Sequence, residues 1–161
     1  MTVDCWKMME YFGRIEKGKV LLNNCGRLAD KLWLEIGNRY LGVNMDEYII
    51  MPNHVHGIIQ LDGIMEGAAG QAGEGRVGQA GEERAGTRPA RTEMLALNLG
   101  KIIGEYKSLV LNEYIKGIKD KDWPRFYRRF WQRNYYERVI RGKNELNRIR
   151  KYIRDNPKKI K

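Results

Sequence analysis

The spacing of hydrophobic and polar positions changes several times along this chain, and each change marks a predicted element. Val20 to Asn23 is a short β-prone run. From Gly26 to Tyr40, Leu28, Leu32, Trp33 and Ile36 recur at helical spacing, which predicts an amphipathic helix. Asp46-Glu47-Tyr48-Ile49-Ile50-Met51 and then Val55, Ile58, Ile59 and Leu61 are largely β-branched or apolar, and Pro52-Asn53 interrupts them as a short turn would. Two strands meeting at that turn are expected. From Glu66 to Arg91 the pattern dissolves into near-repeats such as Gly70-Gln71-Ala72-Gly73-Glu74 and Gly78-Gln79-Ala80-Gly81-Glu82, a Gly-rich insert expected to be flexible and disordered. Its glycines lack the strand-glycine-helix setting and the lysine of a phosphate-cradling loop.

Periodicity resumes after Thr92, read as an N-cap. Leu95, Leu99, Ile102, Ile103, Tyr106, Leu109, Val110 and Tyr114 make a long amphipathic helix with Lys101 and Lys107 off its apolar stripe. Asp120 to Pro124 reads as a loop. Phe130-Trp131-Gln132 and then Tyr135 to Arg141 read as an extended piece leading into a helical turn. A last helix is expected from about Asn144 to Asn156 on the stripe Leu146, Ile149 and Ile153. Pro157 should end it, because the residue before a proline is disfavoured in the α region.

A length of 161 residues suits one domain spanning 1–161 with a core of its own. No apolar run approaches the 18 or so residues of a membrane span, so no membrane partner is expected, and no signal-peptide pattern opens the chain. Cys5 and Cys25 are too few for a disulfide framework, which points to a reducing cytoplasm. The net charge of +10 is unevenly placed: residues 101–161 hold 19 basic against 7 acidic side chains, and the rest of the chain is slightly acidic. Trp123, Phe126, Tyr127, Phe130, Trp131, Tyr135 and Tyr136 are interleaved with that charge, a mixture a single-stranded nucleic-acid groove uses. A basic surface over an aromatic core is the alternative for any one ring.

The candidate chemistry sits at the predicted turn. The chain has two histidines, His54 and His56, and positions i and i+2 of a strand project from one face, so both imidazoles can turn toward a common point and hold a divalent metal. Two polar residues on a solvent face are the alternative. On the last helix, Tyr152 lies at the edge of the apolar stripe with Asn156 one turn on. A phenolate can attack phosphorus once a metal polarises the phosphate, and an asparagine carbonyl could complete a ligand set with the histidines. Pattern alone leaves open that Tyr152 covers core and Asn156 caps the helix.

Three motifs together, His54-Val55-His56 within Tyr48 to Ile59, Phe130-Trp131-Gln132, and Tyr152-Ile153-Arg154-Asp155-Asn156-Pro157, resemble the REP-associated tyrosine transposases. These are single-tyrosine members of the HUH endonuclease superfamily, related to insertion-sequence transposases. The resemblance covers roughly Tyr11 to Lys158 outside the insert, with the motifs in the family's order. It implies an α+β, ferredoxin-like domain with a central antiparallel sheet. It also implies that His54, His56 and Asn156 bind Mg²⁺ or Mn²⁺ and that Tyr152 is the catalytic nucleophile. The implied activity is single-stranded DNA cleavage and strand transfer through a 5′-phosphotyrosyl link at REP-type hairpins. Lys101, Lys107, Arg128, Arg129, Arg133 and Trp131 are candidate DNA contacts. The expected partner is hairpin DNA, bound by a monomer or homodimer associated with the nucleoid.

Two departures from the family stand out. Its first strand is rich in aromatic and β-branched residues, whereas Met1 to Glu10 offers charges and methionines, so that strand is expected to be missing and its neighbours left as open edges. Glu137-Arg138 stands where many members carry an acid followed by histidine. A truncated, catalytically inactive DNA-binding remnant is therefore the alternative function.

Overall fold

The turn at Pro52-Asn53 organises the molecule. In the structure, a computed structural model that describes residues 1–62 and 99–159, β4 (Val43–Ile50) and β5 (His54–Leu61) form the expected antiparallel hairpin. The Met51 N–H closes it by donating to the His54 carbonyl at 2.8 Å. The Gly-rich insert and the expected helix start at Thr92 and Leu95 lie outside the described residues.

A short strand, β1 (Thr2–Asp4), pairs antiparallel with the other side of β5, setting Thr2 opposite His56 and Asp4 opposite His54. The sheet order is β1-β5-β4. This corrects the expectation of a missing first strand with open neighbours. Val3 and Cys5 alternate inward, both 0% exposed, so the charges and methionines of this segment do not have to enter the core. The outer edge of β1 is covered by residues 130–136: Thr2 and Tyr136 exchange backbone hydrogen bonds at 2.7 and 2.8 Å, and Gln132 N–H donates to Asp4 O at 2.9 Å.

A second hairpin pairs β2 (Gly13–Glu16) with β3 (Lys19–Leu22). Its two-residue turn puts Lys17 and Gly18 at φ values of 49° and 71°, the doubly positive turn whose twist matches paired strands. The strand expected at Val20–Asn23 thus ends earlier. Asn23 instead caps α1 (Asn24–Asn38), its side-chain oxygen accepting from Gly26 N–H at 2.9 Å.

Helices α1 and α2 (Leu99–Asp120) cover one face of the sheet, with Trp33, Ile36, Ile102, Ile103, Tyr106 and Val110 in the core. A Cβ at Gly57 would sit 2.4 Å from Cζ2 of the fully buried Trp33, so β5 approaches α1 this closely only with glycine there. The opposite face carries α3 (Lys143–Asp155), close to the predicted bounds. Its expected ending is corrected in one respect. Asn156 keeps α geometry (φ −55°, ψ −46°) and the chain continues as a 3-10 turn, Asn156–Lys159. Proline lacks the N–H for an α-type bond to Ile153, and the Asn156 N–H takes the Ile153 carbonyl instead. The fold is mixed α and β, a small antiparallel sheet with three α-helices among the described residues. None of those helices is long and apolar enough to cross a membrane.

Candidate active site

Strand alternation decides what β5 presents to α3. Val55 is buried in the core and Gly57 faces Trp33, so His54 and His56 point the other way. Their ring centroids lie 4.5 Å apart at 73°. Each ring spends one nitrogen on a neighbour: His54 Nδ1–H donates to Asn53 Oδ1 at 2.6 Å, and His56 Nδ1 shares a 2.8 Å hydrogen bond with Thr2 Oγ1. A histidine ligand behaves this way, with Nδ1 held by a polar partner and Nε2 left for the ion. Burial lowers both pKa values. For His56 the value falls to about 4, helped by His54 and the chain's amino group, while Asp4 opposes the fall at His54. Both rings are therefore neutral, as ligation requires, at pH 7.

The sheet brings Tyr152 to this pair. Its ring centroid lies 5.7 Å from that of His56 at 69°, although the two residues are far apart in the chain. The side chain is 46% exposed, accessible to a large substrate. Lys159 Nζ, on the following 3-10 turn, sits 4.1 Å from the Tyr152 ring centroid. Asn156 is 6% exposed and one turn beyond Tyr152, on the same flank of the helix. Among the described residues no cluster of three or more His, Cys, Asp or Glu could hold a metal. The donor types carried by His54, His56 and Asn156 are two imidazoles and an amide oxygen, a set that suits borderline divalent ions.

The candidate DNA contacts separate by environment. Arg128, Arg129 and Arg133 are exposed, with the Arg128 guanidinium over Tyr127 and that of Arg129 over Trp6 at 5.2 and 5.3 Å from the ring centroids. Lys101 is exposed on α2. Lys107 is differently employed: its ammonium donates to the carbonyls of Gln132, Arg133 and Asn134 at 2.5, 3.3 and 3.3 Å. Trp131 is buried, its indole N–H donating to Lys107 O at 2.9 Å, and it packs rather than presenting a face to solvent. Phe130 is buried too, and Trp123 and Phe126 lean on the core, which leaves Tyr127 and Tyr136 as the exposed rings of the cluster. An aromatic side chain packed among other rings is stabilised by the area it buries and by ring-ring contact. Arg138 pairs with Glu145 at 2.6 Å.

Lys107→Met is accordingly expected to lower stability by about 1.5 kcal/mol, since three carbonyls lose a charged donor. Urea denaturation measures this. The salt dependence of DNA binding should stay that of the unaltered protein; a shallower slope would make Lys107 a phosphate contact after all.

Several participants were not singled out from the sequence. Thr2 and Asp4 face the histidines only because β1 pairs in this register, and no local pattern encodes that. Lys159 lies two residues beyond the tyrosine motif. Asn53, immediately before His54, was readable as a partner for its ring.

Among known proteins, the chain is 30% identical over 158 residues to an uncharacterized protein of Haemophilus influenzae (strain ATCC 51907 / DSM 11121 / KW20 / Rd), an alignment spanning 98% of this chain and 78% of the relative. No family model and no solved structure matches it.

Proposed function

The chain belongs to the same family as that Haemophilus influenzae protein, and from the site we propose that it is a metal-dependent single-stranded DNA endonuclease and strand transferase of the REP-associated tyrosine transposase kind. The observation that carries the reading is the convergence of Tyr152 on His56, residues far apart in the chain. The resemblance of the three motifs supports it, as does the basic C-terminal part. On this reading the sheet and its helices are a ferredoxin-like domain, and the protein works in the cytoplasm on nucleoid DNA.

His54 and His56 would hold Mg²⁺ or Mn²⁺ through Nε2, with the Asn156 carbonyl oxygen as the third donor. When bound, the ion polarises the scissile phosphate and offsets its charge. Tyr152 Oη attacks phosphorus and loses its proton to solvent. The bond from phosphorus to the 3′ oxygen of the upstream nucleotide breaks, and that oxygen takes up a proton. A 5′-phosphotyrosyl link and a free 3′-hydroxyl result. Attack by a 3′-hydroxyl reverses the step and frees Tyr152, so rejoining needs no nucleotide cofactor. Arg128, Arg129 and Arg133 would follow the backbone, and the exposed Tyr127 and Tyr136 offer faces for unpaired bases.

Incubation with Mn²⁺ and end-labelled single-stranded DNA bearing a hairpin should give a covalent protein-DNA species that survives denaturing gels and needs the metal. Mn²⁺ is the better probe because imidazole suits it better than Mg²⁺. The absence of any adduct across hairpin substrates and both metals would sink the proposal. Reading the chain as an inactive DNA-binding remnant rests on an absent first strand and on Glu137-Arg138 in place of an acid and a histidine; β1, paired on both sides, removes the first of these.

A further inference from the structure

A defect in the β4–β5 ladder faces α3. Met45 pairs with Ile59 and Tyr48 with Gly57, so two residues of β4, Asp46 and Glu47, stand opposite one of β5, Ile58. Such a bulge re-aims side chains. Without it, Met45 and Tyr48 would point to opposite faces. Here both turn toward α1: Met45 lies against Gly37, and the Tyr48 hydroxyl donates to Asp30 at 3.0 Å. The same insertion delivers both acids to the α3 face. Asp46 takes a two-pronged grip from Arg150, whose Nε lies 3.0 Å from each carboxylate oxygen and whose Nη2 lies 2.8 Å from Oδ2. Glu47 pairs with Arg154 Nε at 3.3 Å.

Helix α3 needs this grip. Ile153 is its one buried residue, so apolar contact alone holds it weakly. At 100° per residue, Arg150 and Arg154 fall on one flank of the Leu146–Ile149–Ile153 stripe and Tyr152 and Asn156 on the other. One flank is fixed to β4 while the other faces the histidines of β5. We infer that Arg150, supported by Arg154, is a positioning residue: held by Asp46 and Glu47 on the bulge, it sets the roll of α3 and so the reach of Tyr152 toward the His54–His56 pair. The catalytic part of this inference rests on the proposed function. A phenolic oxygen lies about 9 Å from its helix axis, so a roll of about 10° displaces it by about 1.5 Å. Misplacement of about 1 Å can cost roughly 100-fold in rate.

The test uses full-length protein with Asp46→Arg, Arg150→Asp and the double exchange, plus the milder Arg150→Lys, which keeps the charge and loses the fork. Three quantities are read: the single-turnover rate of adduct formation at saturating hairpin DNA, the affinity for that DNA without metal, and the ¹⁹F resonance of 3-fluorotyrosine at position 152. Each reversal should slow the adduct by about 100-fold with affinity within about threefold, Arg150→Lys should fall between, and the exchange should recover most of the loss. Reversals at wild-type rate would overturn the inference, as would an exchange no better than its parents. Weakened affinity with an unchanged saturated rate would make the arginines DNA contacts, and would overturn it equally. If the unaltered protein forms no adduct, the proposed function fails, and the ¹⁹F signal still decides the positioning: moved by Arg150→Lys and restored toward wild type in the exchange it stands, unmoved it falls.

Discussion

Phenylalanine in place of Tyr152 is expected to remove the covalent DNA adduct altogether, a loss of about four orders of magnitude or more. On the proposed mechanism the substitution deletes the one oxygen that bonds to phosphorus, and no binding contact can replace a nucleophile. Everything else should persist. The ring can keep its packing beside His56 and under Lys159, and an exposed position tolerates the change within about 0.5 kcal/mol. DNA affinity should hold, because the phosphate contacts proposed lie on Arg128, Arg129 and Arg133. Denaturing gels and a binding titration on the same preparation separate the two effects. An undiminished adduct would point to another nucleophile, with the exposed Tyr136 and Tyr127 first to try, and would remove Tyr152 from the mechanism.

The half of this site that lies near the turn was readable because its physics is local. Alternation, a Pro-Asn break and two histidines at i and i+2 specify a hairpin with both rings on one face, and the structure has that hairpin. Helix α3 was equally plain, since its stripe and Pro157 bracket it. What could not be read depends on partners distant in the chain. Strand β1 exists through hydrogen bonds to β5 on one side and to residues 130–136 on the other, and a three-residue strand carries almost no periodic signal. The bulge at Asp46 and Glu47 adds one residue to one strand, which a count of apolar positions does not register, although it turns two acids to face α3. Lys107 looked like a free surface cation because it lies off the apolar stripe of α2; the carbonyls that claim it belong to a segment with no regular structure. Trp131 and Phe130 looked like base-stacking rings among arginines, and the core took them because Tyr106 and Tyr114 of α2 and Tyr11 and Phe12 before β2 supply the walls.

Acid should destabilise the metal-free protein before its carboxylates titrate, by about 2 kcal/mol between pH 6.5 and pH 4.5. His56 has its pKa lowered by burial to about 4 in the folded state, against 6.5 for an exposed imidazole, and His54 is shifted in the same direction. Across that window the unfolded chain binds a proton that the folded chain refuses. Stability therefore rises with pH there, is complete above about 6.5, and is lost progressively as pH falls toward the folded value. Carboxylates with lowered values, such as Asp155 and Glu105, act at lower pH, so the interval from about 4.5 to 6.5 belongs to the histidines. Urea midpoints at pH 7 and pH 5 in the presence of a chelator measure the slope. His56→Gln should flatten it, and an unchanged slope in that variant would mean the ring is not sequestered as the structure has it. On the proposed function Mn²⁺ takes the neutral rings, so at about 100 times its dissociation constant it should add about 2.7 kcal/mol at pH 7 and move the acid transition downward. Protons and metal then compete for the same two nitrogens. A metal that stabilised the protein without moving the acid transition would be bound elsewhere, and His54 and His56 would lose their place as its ligands.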